Sequence, residues 1–310
     1  MIQKLATGLS IGGAYAIFAL GYTLVFSILR VVNFAHGAVF AVGAYLAYAL
    51  TGSTFGTNGA LDQAGLPFGL PFPLALLGGA LGAGLFSVLV ERIAFRPLRK
   101  RGSDPLLALV SSLGVAIATV NLIQYLVGAE SYPFPSTWRG SLPAAVNLGS
   151  ASSPVPVRTI QVVMFVVSMA LVVALTWFVN RTRRGKALQA VSEDPTTAQL
   201  LGIDVDRLVA LTFFLSGFLG GVAGTLLGVS VSIAPYIGIN FGLKGLAVLV
   251  LGGLGDIPGA VVGGIVLGLA ESLVPSSAIA YKEGVAFAVL LLVLLLRPRG
   301  LLGRGSIEKV

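Results

Sequence analysis

The sequence has no cysteine, a single histidine and only 10% charged residues among its 310. Without cysteine there is no disulfide framework and no thiolate chemistry, and the redox compartment stays open. One histidine without cysteine excludes a multidentate zinc site. Soluble globular domains carry about a quarter charged residues. The deficit of charge, together with 56% hydrophobic residues, excludes that class and points to a polytopic membrane protein. No paired carboxylates are read on a shared helical face, so an acid, base or nucleophile constellation for a membrane-embedded enzyme is missing. The pattern Gly-x-x-x-x-Gly-Lys-Ser/Thr occurs nowhere, so this chain does not itself cradle the phosphates of ATP.

What is present is long and apolar. Residues 5–29, 33–50, 70–90, 106–127, 159–180, 208–230, 242–254, 258–274 and 278–296 read as spans, judged against the roughly 20 residues a helix needs to cross the hydrocarbon core. The expected fold is all-α: a polytopic transmembrane helical bundle of about 8–10 spans, some short or broken, forming a single membrane domain over 1–310. The stretch 5–29 is too long for a signal-peptide core and lacks a cleavage site, so it is expected to be retained.

Basic residues outnumber acidic ones 20 to 12, and they gather between spans. One cluster is Arg92, Arg96, Arg99, Lys100 and Arg101. A second is Arg181, Arg183, Arg184 and Lys186, and the third is the short tail 297–310 with Arg297, Arg299, Arg304 and Lys309. Even numbers of spans separate them, so they share one face, which the positive-inside rule makes cytoplasmic. Arg30 joins that face and the N-terminus lies outside, with Lys4 as the contrary signal. The surplus needs no nucleic acid to explain it. The other face receives 51–69 and 128–158, rich in Gly, Ser and Pro, with Tyr132 and Trp138 as interfacial anchors. Neither segment is long enough to be a domain. Glycines recur four apart at Gly78/Gly82, Gly217/Gly221, Gly220/Gly224/Gly228, Gly259/Gly263 and Gly264/Gly268. Close helix packing through small residues is the expected use, with a glycine-lined conduit as the alternative.

Residues 181–207 form the longest charge-dense interval. Glu193 and Asp194 precede Pro195 at a helix start, Ala198 and Leu201 are expected on one face, and Gly202 stops the helix. Isolated helices shorter than about 12 residues are marginal in water. A helix of two turns here therefore reads as a docking element that leans on another surface, the alternative being an ordinary loop with one ordered turn.

Two further segments look interrupted: one from Asn33-Phe34-Ala35-His36-Gly37, the other from Asn240-Phe241-Gly242 through Lys244-Gly245 to Pro258-Gly259. Both start Asn-Phe, one at each face, as an inverted-topology repeat would place them, and such interruptions point to a transport path. The expectation is that they approach each other near the midplane. His36 reads first as a ring that hydrogen-bonds neighbouring backbone at a helix start, then as part of the path. Glu271 is expected to snorkel to the outer interface, and Asn121 with Gln124 to hydrogen-bond between helices.

The ordered set Asn33-Phe34-Ala35-His36-Gly37, then Ser192-Glu193-Asp194-Pro195 to Leu200-Leu201-Gly202-Ile203 with Asp206-Arg207, then Gly252-Gly253-Leu254-Gly255 with Pro258-Gly259-Ala260, resembles the permease subunits of branched-chain amino acid ABC importers over almost the whole chain. The resemblance implies a permease domain paired with a homologous permease subunit, as a heterodimer or a homodimer. It also implies two cytosolic ATPase subunits that bind ATP and Mg, with no cofactor in this chain, and an extracytoplasmic solute-binding protein. The location it implies is a bacterial or archaeal inner membrane, with the C-terminus cytoplasmic. The short helix would be the ATPase-coupling helix, and Asn33, His36, Gly37, Asn240 and Gly245 the candidate translocation path, with helix N-termini near Gly37 and Gly245 facing a solute carboxylate. Urea permeases of the same superfamily are the second reading, although they carry Met where Phe34 stands. A secondary transporter ranks lower, because coupled carriers place acidic residues inside the membrane and the mid-span regions here show essentially none.

Overall fold

The computed structural model describes residues 2–102, 104–140, 142–147, 156–275, 278, 281–298 and 300–303. The chain runs α1 (Ile2–Leu29), α2 (Ala35–Leu50), α3 (Phe72–Val90), a π-helical turn (Glu91–Phe95), α4 (Arg96–Lys100) and α5 (Pro105–Val127). After a two-stranded antiparallel hairpin of β1 (Ala145–Asn147) and β2 (Pro156–Arg158) come α6 (Thr159–Arg181), α7 (Arg183–Glu193), α8 (Pro195–Leu200), α9 (Val205–Val231), α10 (Ile237–Gly252), α11 (Ile257–Leu273) and α12 (Lys282–Leu296). Side chains that satisfy exposed amides set several helix starts. Asp104 accepts from the Leu106 amide at 2.7 Å, Asp204 from Arg207 at 3.1 Å and Asp256 from Gly259 at 2.8 Å.

Among the described residues, α1, α5, α6, α9 and the continuous 72–100 helix are long and apolar enough to cross a membrane, and α10 with α11 passes only as a pair bent by 120°. The nine expected spans are thus of two kinds. The 16 residues of α2 reach about 24 Å, short of the roughly 30 Å hydrocarbon core. Its start explains the shortfall. His36 Nε2 sits 3.1 Å from the Phe18 carbonyl oxygen, and Phe18 lies mid-way along α1. The chain therefore climbs back into the bundle before α2 begins.

Helices α1 and α9 form the centre, with 78% and 72% of their most apolar 18 residues buried, against 28% for α5 and 22% for α6. The latter two present Leu113, Ile117, Tyr125, Val173 and Trp177 outward, where lipid takes the place of protein. Packing repeats itself about the centre: α1 lies along α11 as α9 lies along α3, while α2 leans on α9 as α10 leans on α1. Small residues permit this closeness. A side chain at Gly264 would strike the Ala16 backbone, and one at Gly217 would strike Ala83 and Gly84. The four-residue glycine spacing therefore serves helix packing within this chain.

The two interrupted segments meet, at a different register from the Asn-Phe match. A Cβ on Gly37 would lie 2.3 Å from the Gly238 carbonyl oxygen, and one on Gly238 would lie 2.1 Å from that of Gly37. Gly37 thus faces Gly238, whereas aligning Asn33 with Asn240 would put it opposite Lys244. At the opposite end from the basic clusters, Tyr132 is a buried tie rather than an interfacial anchor. It pairs with Ile233 across a β-bridge, accepts from the Gly56 amide at 3.1 Å and donates to the Val127 carbonyl. The Trp138 side chain lies outside the described residues. Asn121 bonds the Ile117 carbonyl of its own helix at 2.8 Å, because the outer position of α5 offers it no second helix.

Candidate functional site

At the basic end, Arg183–Glu193 is a helix of its own, so Glu193 closes α7 and the expected coupling helix shrinks to the six residues of α8. Thr182 caps α7, its hydroxyl accepting from Gly185 at 3.0 Å. Asp194 caps α8, accepting from the Thr196 and Thr197 amides at 2.8 and 3.2 Å and from the Thr197 hydroxyl. That hydroxyl first, then the amides of Thr197 and Thr196, hold the Asp194 carboxyl below its ordinary pKa. Gly202 ends the turn at φ +83°, a conformation that glycine adopts without strain.

Ala198 and Leu201 do not share a face. Ala198 is buried with Leu188 and Val191 against Val25, Phe95 and Phe213, while Leu200 and Leu201 are 83% and 76% exposed. A turn this short has room for one inward residue, so the next apolar pair is left facing out.

Directly after α8 the chain is pinned by charge. Asp206 takes Arg96 at 2.8 Å and Arg99 at 2.6 Å, with Lys100 at 3.7 Å. Arg99 also reaches the buried Glu91 at 3.2 Å. The expected basic loop after residue 90 is therefore helical through the π-turn, and its arginines point at α9 as well as at solvent. Arg30 donates to the Ser192 carbonyl at 2.9 Å, which adds the end of α1 to the same assembly.

Mid-bundle, Asn33 Oδ1 accepts from the Ala35 amide at 3.1 Å, a local cap for α2. His36 Nδ1 lies 3.2 Å from Ser216 Oγ. Its ring stacks on Phe18 at 4.7 Å, with Tyr22 edge-on at 4.6 Å. Gly245 sits inside α10, packed on Phe18 and Tyr22, so it opens no helix end. Asn240 is exposed and lines a cavity of about 290 Å³ with Ser232, Phe241, Lys244 and Glu283. A larger cavity, about 610 Å³, lies at the basic end between α1, α6, α7 and the α10–α11 turn, with Ser27, Asn180, Gln189, Glu193 and Asp256 in its walls.

Residues 4–294 match the family described as branched-chain amino acid transport system / permease component. The chain belongs to this family. It is 38% identical, over all of this chain and 97% of the relative, to the high-affinity branched-chain amino acid transport system permease protein LivH of Escherichia coli (strain K12). It is 37% identical to the corresponding permease protein BraD of Pseudomonas aeruginosa (strain PAO1), over 100% of this chain and 98% of the relative. It is also 25% identical to the ribose import permease protein RbsC of Haemophilus influenzae (strain Rd), over 91% and 80%.

The permease is a multi-pass membrane protein, as the names of its relatives, transport and import permease proteins, also indicate. Of its candidate path residues, His36 and Gly37 meet α1, α9 and α10, Gly245 packs on the same Phe18 and Tyr22 as His36, Asn33 bonds locally at the start of α2, and Asn240 stands apart on a cavity wall. One polar group sits elsewhere than its position in the sequence suggests. Glu271 does not snorkel: its side chain is 1% exposed, it meets Lys244 Nζ at 3.0 Å, and it accepts from the Tyr15 hydroxyl at 2.8 Å. The signal was available in Lys244 itself, a lysine inside an apolar stretch, which demands a partner.

Proposed function

We propose that residues 1–310 form the permease domain of an ATP-driven importer for branched-chain amino acids. The permease pairs with a homologous permease subunit, or with a second copy of itself. Two cytosolic ATPase subunits bind ATP and Mg, and an extracytoplasmic binding protein delivers the solute. The membrane is a bacterial or archaeal inner membrane, with the basic end and the C-terminus in the cytoplasm.

The observation that carries this reading is α8, which offers Leu200 and Leu201 to a partner while Ala198 roots it in the bundle. A push on the exposed pair passes through Ala198, Leu188 and Val191 to α1 and α9, the two central helices. Closure of the ATPase pair then shifts the bundle between packings that open at alternate ends.

The test is purification with candidate ATPase chains, followed by leucine, isoleucine and valine uptake into proteoliposomes with each available binding protein. Co-purification with ATP-dependent uptake is expected. Assembly without any ATPase, or uptake indifferent to ATP, would remove the proposal.

A further inference from the structure

A buried ion pair in the hydrocarbon region costs desolvation that its Coulombic attraction only roughly offsets. Lys244 and Glu271 form such a pair, and their surroundings differ. Glu271 is sealed in behind Tyr15; its Oε1 atom meets the Lys244 ammonium at 3.0 Å without an aligned hydrogen bond. Lys244 is less enclosed, 12% exposed, with its ammonium 5.9 Å from the Tyr15 ring centroid and 5.6 Å from that of Phe241. Its open side borders the cavity of about 290 Å³, whose wall also carries Glu283 from α12, Asn240 and the apolar Ile237. That volume lies just below the usual range for small-molecule sites, about 300–1,000 Å³, and suits a solute of amino-acid size.

We infer that this cavity is a station for a zwitterionic solute on its way through the permease, a proposal that rests on the importer reading above. Lys244 takes the solute carboxylate and Glu283 its ammonium, while Ile237 and Phe241 cover the aliphatic side chain. Glu271 neutralises Lys244 when the station is empty and shares it when the station is loaded. Lys244 therefore never stands unpaired in an apolar setting. The aromatic rings hold the ammonium at the cavity wall, so that little ordering is needed when the solute arrives.

The test uses the assembled importer in proteoliposomes and reads ATP hydrolysed per leucine imported. The double variant Lys244→Met/Glu271→Met replaces the pair with apolar side chains of similar length, a change that folds often tolerate. It is expected to raise that ratio about tenfold or more, the loss of one charge-assisted contact, whereas Lys244→Arg keeps it within about threefold. Glu283→Gln leaves the buried pair intact and is expected to raise the ratio several-fold, so the inference does not depend on assembly of the double variant. An unchanged ratio in the double variant, or in Glu283→Gln, overturns the station and leaves the pair as a packing feature. A wild-type assembly that imports no leucine at all overturns the importer reading instead, and the station with it.

Discussion

His36 shows what a lone ionisable residue does in this bundle. Its two ring nitrogens are engaged by Phe18 and Ser216, and Gly21 and Gly220 leave room for the ring. Asn at position 36 is too short to keep both contacts. His36→Asn should therefore lower the stability of the detergent-solubilised protein by about 1–3 kcal/mol, with uptake falling only in proportion to assembled protein. A full loss of uptake at an unchanged melting temperature would place His36 in the solute path. Gly37 is governed by sterics alone, since any side chain there meets the Gly238 backbone. Gly37→Val is expected to prevent assembly, which size-exclusion chromatography reads directly. The Asn-Phe-Ala-His-Gly string suggests a His36 ring bonded to backbone at a helix start; which backbone it meets, and the Gly37 contact, are not legible there, because the partners lie 18 residues upstream and about 200 downstream.

At the scale of elements, α8 separates two substitutions that the sequence alone would treat alike. Leu201→Glu changes an exposed residue and should leave folding intact while ATP hydrolysis no longer drives uptake. Ala198→Glu forces a carboxylate into the buried cluster and should cost several kcal/mol, of order 3–5, in stability. Equal melting temperatures for the two variants would contradict the orientation of α8. The Asp194 cap also has a pH signature. Its carboxyl is held below the ordinary value of about 3.9, so its contribution is complete above that value and lost as pH falls through the lowered one. Protection factors of the 196–200 amides, corrected for intrinsic exchange, should be flat from about pH 5 to 8 and fall only in strong acid; a change near pH 6 would rule the cap out as its cause. The existence of α8 was readable from Asp-Pro at one end and Gly at the other. Its inward face was not, since α7 and α9, which decide it, pack on α8 only in the folded chain.

For the whole molecule, the charge cluster around Asp206 joins the lever to the scaffold. Asp206→Asn removes the charge, and one of the two oxygens, through which Arg96 and Arg99 are held. It is expected to loosen α9 from the 72–100 helix. Hydrolysis without loaded binding protein should then rise, and uptake per ATP should fall, on the order of threefold to tenfold. Uptake per ATP equal to wild type would confine the cluster to a solvent-facing role. Composition, the spacing of long apolar runs and the even alternation of basic clusters determined by themselves that this is a membrane bundle with one positively charged end. The capping residues set the starts of α5, α8, α9 and α11. Only the tertiary structure decided that Gly37 faces Gly238, that Glu271 belongs to Lys244 and that α2 starts inside the bundle. The reason is physical: helices surrounded by lipid or by other apolar helices are hydrophobic on every side, so periodicity no longer marks which face meets which neighbour. That choice falls to close packing and to the pairing of the few charges present.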